Sequence, residues 1–205
     1  MMNCETPSLS SEQRQLLLSS LETEEKARTI RRSLTEWSRH CGFEPALHHR
    51  LLIRNLERVV SGEIDRLAVF MPPGSAKSTY SSILFPPWFL AQQPKASVLA
   101  ASHTTELAEK WGRRVRNLVT EHGSVLRLSL SSDSQAAGRW ALTSGGEYYA
   151  AGVGVGIAGF RADLAVIDDP VRSREDADSQ AIRDRTWDWY KLICSRACGQ
   201  VAAWR

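Results

Sequence analysis

Three short apolar runs, Arg66 to Met71 (RLAVFM), Ser97 to Ala101 (SVLAA) and Leu164 to Ile167 (LAVI), alternate with segments of helical periodicity. Runs this short, bounded by turn residues, read as strands buried on both faces, and strands alternating with helices predict an α/β fold with a mostly parallel sheet flanked by helices. Pro45 in a first-turn position, with Leu47, Leu51, Leu52, Leu56 and Val59 ending at Gly62, marks a helix before the first run. Lys77 to about Leu84 is predicted helical up to the Pro86–Pro87 break. After Ser102, Thr104 and Thr105 comes a helix with Leu107, Trp111, Val115 and Leu118 on one face. Trp140 to Ala150, with Gly145 and Gly146 between alternating residues, predicts a hairpin, and Ser179 to Leu192 a helix. Upstream, Ser10 with Gln13 resembles a capping box opening one or two surface helices that close near Gly42. The expected organisation is a helical extension over 1–42 and an α/β domain over 43–205.

Several function classes are excluded by composition. Of 205 residues 42% are apolar, enough for a real core, and a net charge of +3 indicates neither disorder nor a polycation. Apolar stretches stop well short of the roughly 18 residues of a membrane span, and the N-terminus lacks a signal-peptide pattern, so a cytoplasmic location and no membrane partner are expected. Cys4, Cys41, Cys194 and Cys198 include no C-x-x-C pair and are expected to be free thiols. Residues 66–162 hold 10 basic and 5 acidic side chains, while the flanking segments are near balance. That excess includes Arg113, Arg114 and Arg116, which either meet phosphates or form a solvated helix face.

In open parallel sheets, ligands collect at the carboxyl ends of strands, and two predicted strand ends carry unusual chemistry. The first is MPPGSAKST. A tight loop running into a helix N-terminus, Pro73–Gly74–Ser75–Ala76–Lys77–Ser78–Thr79, aims the backbone N–H groups that follow Pro73 at one point. Lys77 adds a cation for β- and γ-phosphates, and the Ser78 hydroxyl can ligate Mg²⁺. These are the parts of a phosphate loop, set against an ordinary turn with a surface lysine. The pattern departs from G-x-x-x-x-G-K-[ST] with Met71 and Ala76 at the glycine positions, and the loop is expected to tolerate alanine if position 76 keeps a negative φ.

The second is LAVIDDP. Adjacent carboxylates ending a buried strand need compensation, which a bound Mg²⁺ supplies; the alternative is a turn before Pro170. In the first reading Asp168 holds the metal and Asp169 polarises the attacking water. Both motifs together predict ATP or GTP binding with hydrolysis. Gly152, Gly154, Gly156 and Gly159 do not make a dinucleotide fingerprint, because the string precedes the acidic strand and no helix follows it; they read as flexible backbone near the triphosphate, with Arg161 beside it.

The ordered set EPALHHRLL, RLAVFMPPGSAKST, VLAASHTTELAEKWGRRVR, W-x-L-x-x-G-G-x-Y-x-A, GVGVGIAGFRADLAVIDDP and REDADSQAIRDRTWDWY resembles the ATPase domain of a bacteriophage terminase large subunit, from about Phe43 to Tyr190. The resemblance implies a RecA-like P-loop core whose ring of subunits couples ATP hydrolysis to packaging of double-stranded DNA into capsids. It also implies a portal protein and a small terminase subunit as partners, in a viral or prophage setting. Carried over, Lys77 and Ser78 take phosphate and Mg²⁺ roles and Asp168 and Asp169 the metal and catalytic-carboxylate roles. His48 and His49 fall where the family approaches the base, or else sit in packing. Arg113, Arg114 and Arg116 lean towards DNA, while Asp133 and Trp140 are expected to be structural.

Two departures stand out. The arginine that many relatives carry within the loop corresponds to Gly74, so Arg161 or a neighbouring subunit's arginine is expected to act at the transition state. After Tyr190 the terminal KLICSRACGQVAAWR does not match the family's continuation. VAAW is short for the missing strand, so a truncated copy, an unpaired sheet edge and no nuclease activity are expected. The competing expectations are a helicase-like DNA translocase and a non-catalytic remnant that binds nucleotide or DNA without turnover.

Overall fold

The computed structural model describes residues 10–156, 160–196 and 200–204, with side chains as far as Ile193. Helices α1 (Ser11–Arg32) and α2 (Leu34–His40) meet at Ser33, whose extended backbone breaks the helix while its hydroxyl accepts from Glu36 N–H. The Ser10–Gln13 capping box forms as expected. Of these two, only α1 is a surface helix. Leu34 and Trp37 of α2 are fully buried, and Trp37 Nε1 donates to Leu84 O at 2.8 Å, so α2 shares the core of the sheet. Helix α3 (Leu47–Val60) begins after Pro45, which therefore precedes the first turn rather than occupying it.

Strand β1 (Arg66–Val69) leads through the glycine-containing loop into a π-helix, Thr79–Leu84, and directly into α4 (Phe85–Gln92). The Pro86–Pro87 pair was expected to stop the helix. Instead it occupies the opening of α4, where proline costs no hydrogen bond, and the π-turn absorbs the change of register: Phe85 N–H pairs with Tyr80 O, five residues back. The remaining elements are β2 (Ser97–Ser102), α5 (Thr105–Leu126), β3 (Leu130–Gln135), β4 (Arg139–Leu142), β5 (Glu147–Gly152), β6 (Leu164–Ile167), α6 (Arg174–Asp178), α7 (Gln180–Arg196) and β7 (Gln200–Trp204).

The sheet runs β1-β7-β6-β2-β5-β4-β3. The first five strands are parallel, and β4 and β3 extend the sheet as an antiparallel ribbon, with the β4–β5 hairpin expected around Gly145–Gly146. Gln200–Trp204 pairs with β1 on one side and β6 on the other, so VAAW does stand in the position expected to be empty, and β1 and β6 each have a neighbour there. Side chains alternate across the sheet. Val98 and Ala100 of β2 face the core that holds Trp37, Leu56 and Phe85, while Leu99 and Ala101 face a second cluster with Ile167, Trp189 and Ile193.

Trp140 is fully buried, stacked on Tyr148 at 4.9 Å between ring centroids, with Nε1 donating to Gly112 O. Asp133 lies exposed on β3 and accepts from Ser132 Oγ. Cys41 is a free thiol that burial and Glu121 push up to about 12; the side chains of Cys4, Cys194 and Cys198, and Gly159, lie outside the described residues. Among the described residues no helix is long and apolar enough to cross a membrane.

Candidate functional site

The loop after β1 turns at Gly74, whose φ of +79° only glycine adopts freely, with Ser75 N–H closing on Pro72 O. Ala76 follows with φ +55°. The negative φ set as the condition for alanine at that position is not met: the loop takes the left-handed conformation despite the methyl group, at a cost of roughly 1–2 kcal/mol. The conformation has a visible gain, because it turns Ala76 O to accept from Thr79 N–H and Tyr80 N–H, starting the helix. Among the described residues no backbone acceptor pairs with the N–H groups of Gly74, Ala76, Lys77 or Ser78. These donors at an opening helix form a concavity suited to an anion.

His49 holds this loop from α3. Its Nδ1 accepts from Ala46 N–H at 3.1 Å, which puts the ring proton on Nε2, and Nε2 donates to Ser75 O at 2.9 Å. The ring also stacks on Tyr80 at 4.3 Å. Both ring nitrogens are thus spent on the chain's own backbone, which is the packing side of the alternative weighed for this residue. His48 is exposed on the same cleft, of about 800 Å³, lined by α3, by Val69 and by the loop from Pro72 to Ala76.

At the other strand end Asp168 is 3% exposed and Asp169 is largely exposed with φ +46°, a second left-handed non-glycine residue. The end of β2 fixes Asp169: His103 donates from both its backbone N–H and Nδ1 to Asp169 O, each at 3.2 Å. Lys77 Nζ lies 2.8 Å from Asp169 Oδ1 and 3.4 Å from Asp168 Oδ1, joining segments 92 residues apart in sequence. Asp168 Oδ2 accepts from Ser82 Oγ at 2.9 Å; Asp168 Oδ1, buried, has no hydrogen-bond partner among the described residues. One ammonium group against two carboxyl groups leaves the site acidic and fit for a further cation.

Not every anticipated residue is here. Arg161 lies before β6, whose exit carries Asp168 and Asp169; the strand's four residues span roughly 13 Å. Arg161 is exposed at the entry end, beside Asp163, which binds the start of β2, so it does not reach the Gly74 loop of its own chain. Gly152 ends β5 on the site's side of the sheet, with Gly154 following at φ +86°. Arg113 and Arg114 are exposed on α5, whereas Arg116 donates to Gln135 O at 2.6 Å and ties β3 to the helix. Sequence reasoning missed Ser82 and His103. Ser82 follows Ser78 by one helical turn, and His103 directly follows a strand's carboxyl end, so both positions carried a signal.

No family model matches the chain, and no curated protein matches it by sequence. Among solved structures, the crystal structure of the HK97 bacteriophage large terminase aligns with a TM-score of 0.45 at 11% identity, over 74% of this chain. The chain spans about a third of that protein, 31% of its length.

Proposed function

We propose that this chain is a P-loop ATPase of the terminase large-subunit type, coupling ATP hydrolysis to translocation of double-stranded DNA. The observation that carries the reading is the meeting of Lys77 with Asp168 and Asp169 beside a loop whose free N–H groups suit phosphates. An ordinary surface lysine has no reason to be drawn to the end of a buried strand.

The residues fit magnesium. Asp168 Oδ1 is a buried oxygen without a hydrogen-bond partner among the described residues, and Ser78 stands at the head of the adjacent helix. Among the described residues no three His, Cys, Asp or Glu side chains group as ligands, and one carboxylate, one hydroxyl and phosphate oxygens are a typical magnesium set. Bound there, the ion neutralises charge on the β- and γ-phosphates. Gly74, Ala76, Lys77 and Ser78 cradle the phosphates through backbone N–H groups, and Pro73, Ser75 and Thr79 bound that cradle. Lys77 exchanges its carboxylate contacts for phosphate ones, which frees Asp169 to accept a proton from the attacking water. His48 faces the base, and Arg113 and Arg114 face DNA. With Arg161 at the far strand end, the transition-state arginine comes from a neighbouring subunit in a ring, and the portal and small subunit complete the assembly.

Turnover of ATP, measured with and without duplex DNA, tests this. Wild-type protein hydrolyses ATP faster with DNA, and Lys77→Ala or Asp169→Asn loses at least about 100-fold. Turnover indifferent to Lys77→Ala, or calorimetry showing no nucleotide binding, refutes the assignment.

A further inference from the structure

The buried face of Asp168 is held by a residue outside the phosphate loop. Ser82 Oγ donates to Asp168 Oδ2 at 2.9 Å, with Ser82 at 3% exposure and Asp168 at 3%. Ser82 reaches this place from the π-helix Thr79–Leu84; π-turns are rare and concentrate at functional sites. The next residue back, Ser81, spends its hydroxyl on Lys77 O, so neighbouring serines attach the helix to both partners of the ion pair.

Packing alone does not fix the carboxylate. Beside it lies a small cavity of about 10 Å³, lined by Ser82, Ala100, Ser102, Trp111 and Asp168, with room for about one water. Ser102 Oγ, also buried, lines the same space and has no hydrogen-bond partner among the described residues. A carboxylate with slack on one side needs a directional bond to keep one oxygen in place. Ser82 occupies Oδ2, which leaves Oδ1 as the oxygen turned towards Lys77 at 3.4 Å.

From these contacts we propose that Ser82 is a positioning residue for the metal-binding carboxylate: it orients Asp168 so that Oδ1 alone is presented to the magnesium ion of a bound nucleotide. The inference rests on the nucleotide reading above and deepens it. Loss of an outer hydrogen bond to a metal-ligating carboxylate commonly costs 10–100-fold in metal affinity.

The test follows binding of a fluorescent ADP, first in EDTA and then along a magnesium titration, for wild type, Ser82→Ala, Ser82→Thr and Ser102→Ala, with thermal melting as the check of folding. Ser82→Ala keeps the metal-free affinity within about twofold and moves the magnesium midpoint up about tenfold. Ser82→Thr, which retains the hydroxyl, restores the midpoint. Ser102→Ala, which lines the cavity without bonding Asp168, leaves it within about twofold. An unshifted midpoint in Ser82→Ala overturns the proposal, as does an equal shift in Ser102→Ala, which makes the effect general loosening. Wild-type protein that binds no nucleotide removes the underlying reading instead, a result separable from an unshifted Ser82→Ala in a wild type that gains affinity from magnesium.

Discussion

Replacing Ala76 with glycine removes one methyl group from a residue held at φ +55° on an exposed loop. The left-handed conformation costs a non-glycine residue roughly 1–2 kcal/mol. Against that, glycine gains freedom in the unfolded chain worth about 0.4–1 kcal/mol, and the exposed methyl contributes little burial. The difference is a net stabilisation of about 0.5–1 kcal/mol. For a chain of this size 1 kcal/mol corresponds to roughly 2–4 °C in melting temperature, so Ala76→Gly raises the midpoint by about 1–4 °C in calorimetry without ligand. Ala76→Val, β-branched, moves it the other way. A glycine variant that melts below the wild type refutes the reasoning, because it means that the methyl group makes a contact outweighing the backbone strain.

Two further outcomes follow from packing and titration. Gly112→Ala places a Cβ 2.6 Å from Ala137 O and 3.1 Å from the Tyr148 ring, so it lowers stability by about 1–3 kcal/mol in chemical denaturation, with the near-ultraviolet signal of the Trp140–Tyr148 stack altered. His40 is held below the usual histidine range, by burial first and then by the charges of His122 and Lys26. A depressed histidine binds protons more readily when unfolded, so its contribution is full above about pH 6.5 and is lost as the pH falls below that value. The melting temperature therefore drops between pH 7 and 5.5, and His40→Asn flattens part of that slope.

Much of the sheet was legible because β1, β2 and β6 are apolar runs bounded by turns, a signal that owes nothing to the rest of the fold. β3 was not, since LSSDSQ is polar after Leu130; it becomes a strand by pairing with β4 and through Arg116 gripping Gln135. β7 was discounted for its shortness, yet five residues suffice where parallel partners stand on both sides. Lys77, Asp168 and Asp169 were readable as a group because their chemistry is incomplete apart. The left-handed backbone at Ala76 and Asp169 was not, since conformational strain leaves no trace in residue identity. Arg161 was placed near the loop by its glycine-rich neighbours, but the chain must return to the sheet's opposite end before entering a parallel strand, and that crossing carries the arginine away.

The position of β7 between β1 and β6 bears on how the protein comes into being. Arg66 registers with Val201, a loop of 135 residues (201 − 66), so the strand that bridges the two halves of the site is synthesised long after the first of them. Until it arrives, β1 and β6 each present an open ladder to other chains. Such distant pairing is slow to close, and a nascent polypeptide of this design spends its interval on the ribosome with the lysine and the carboxylates unacquainted.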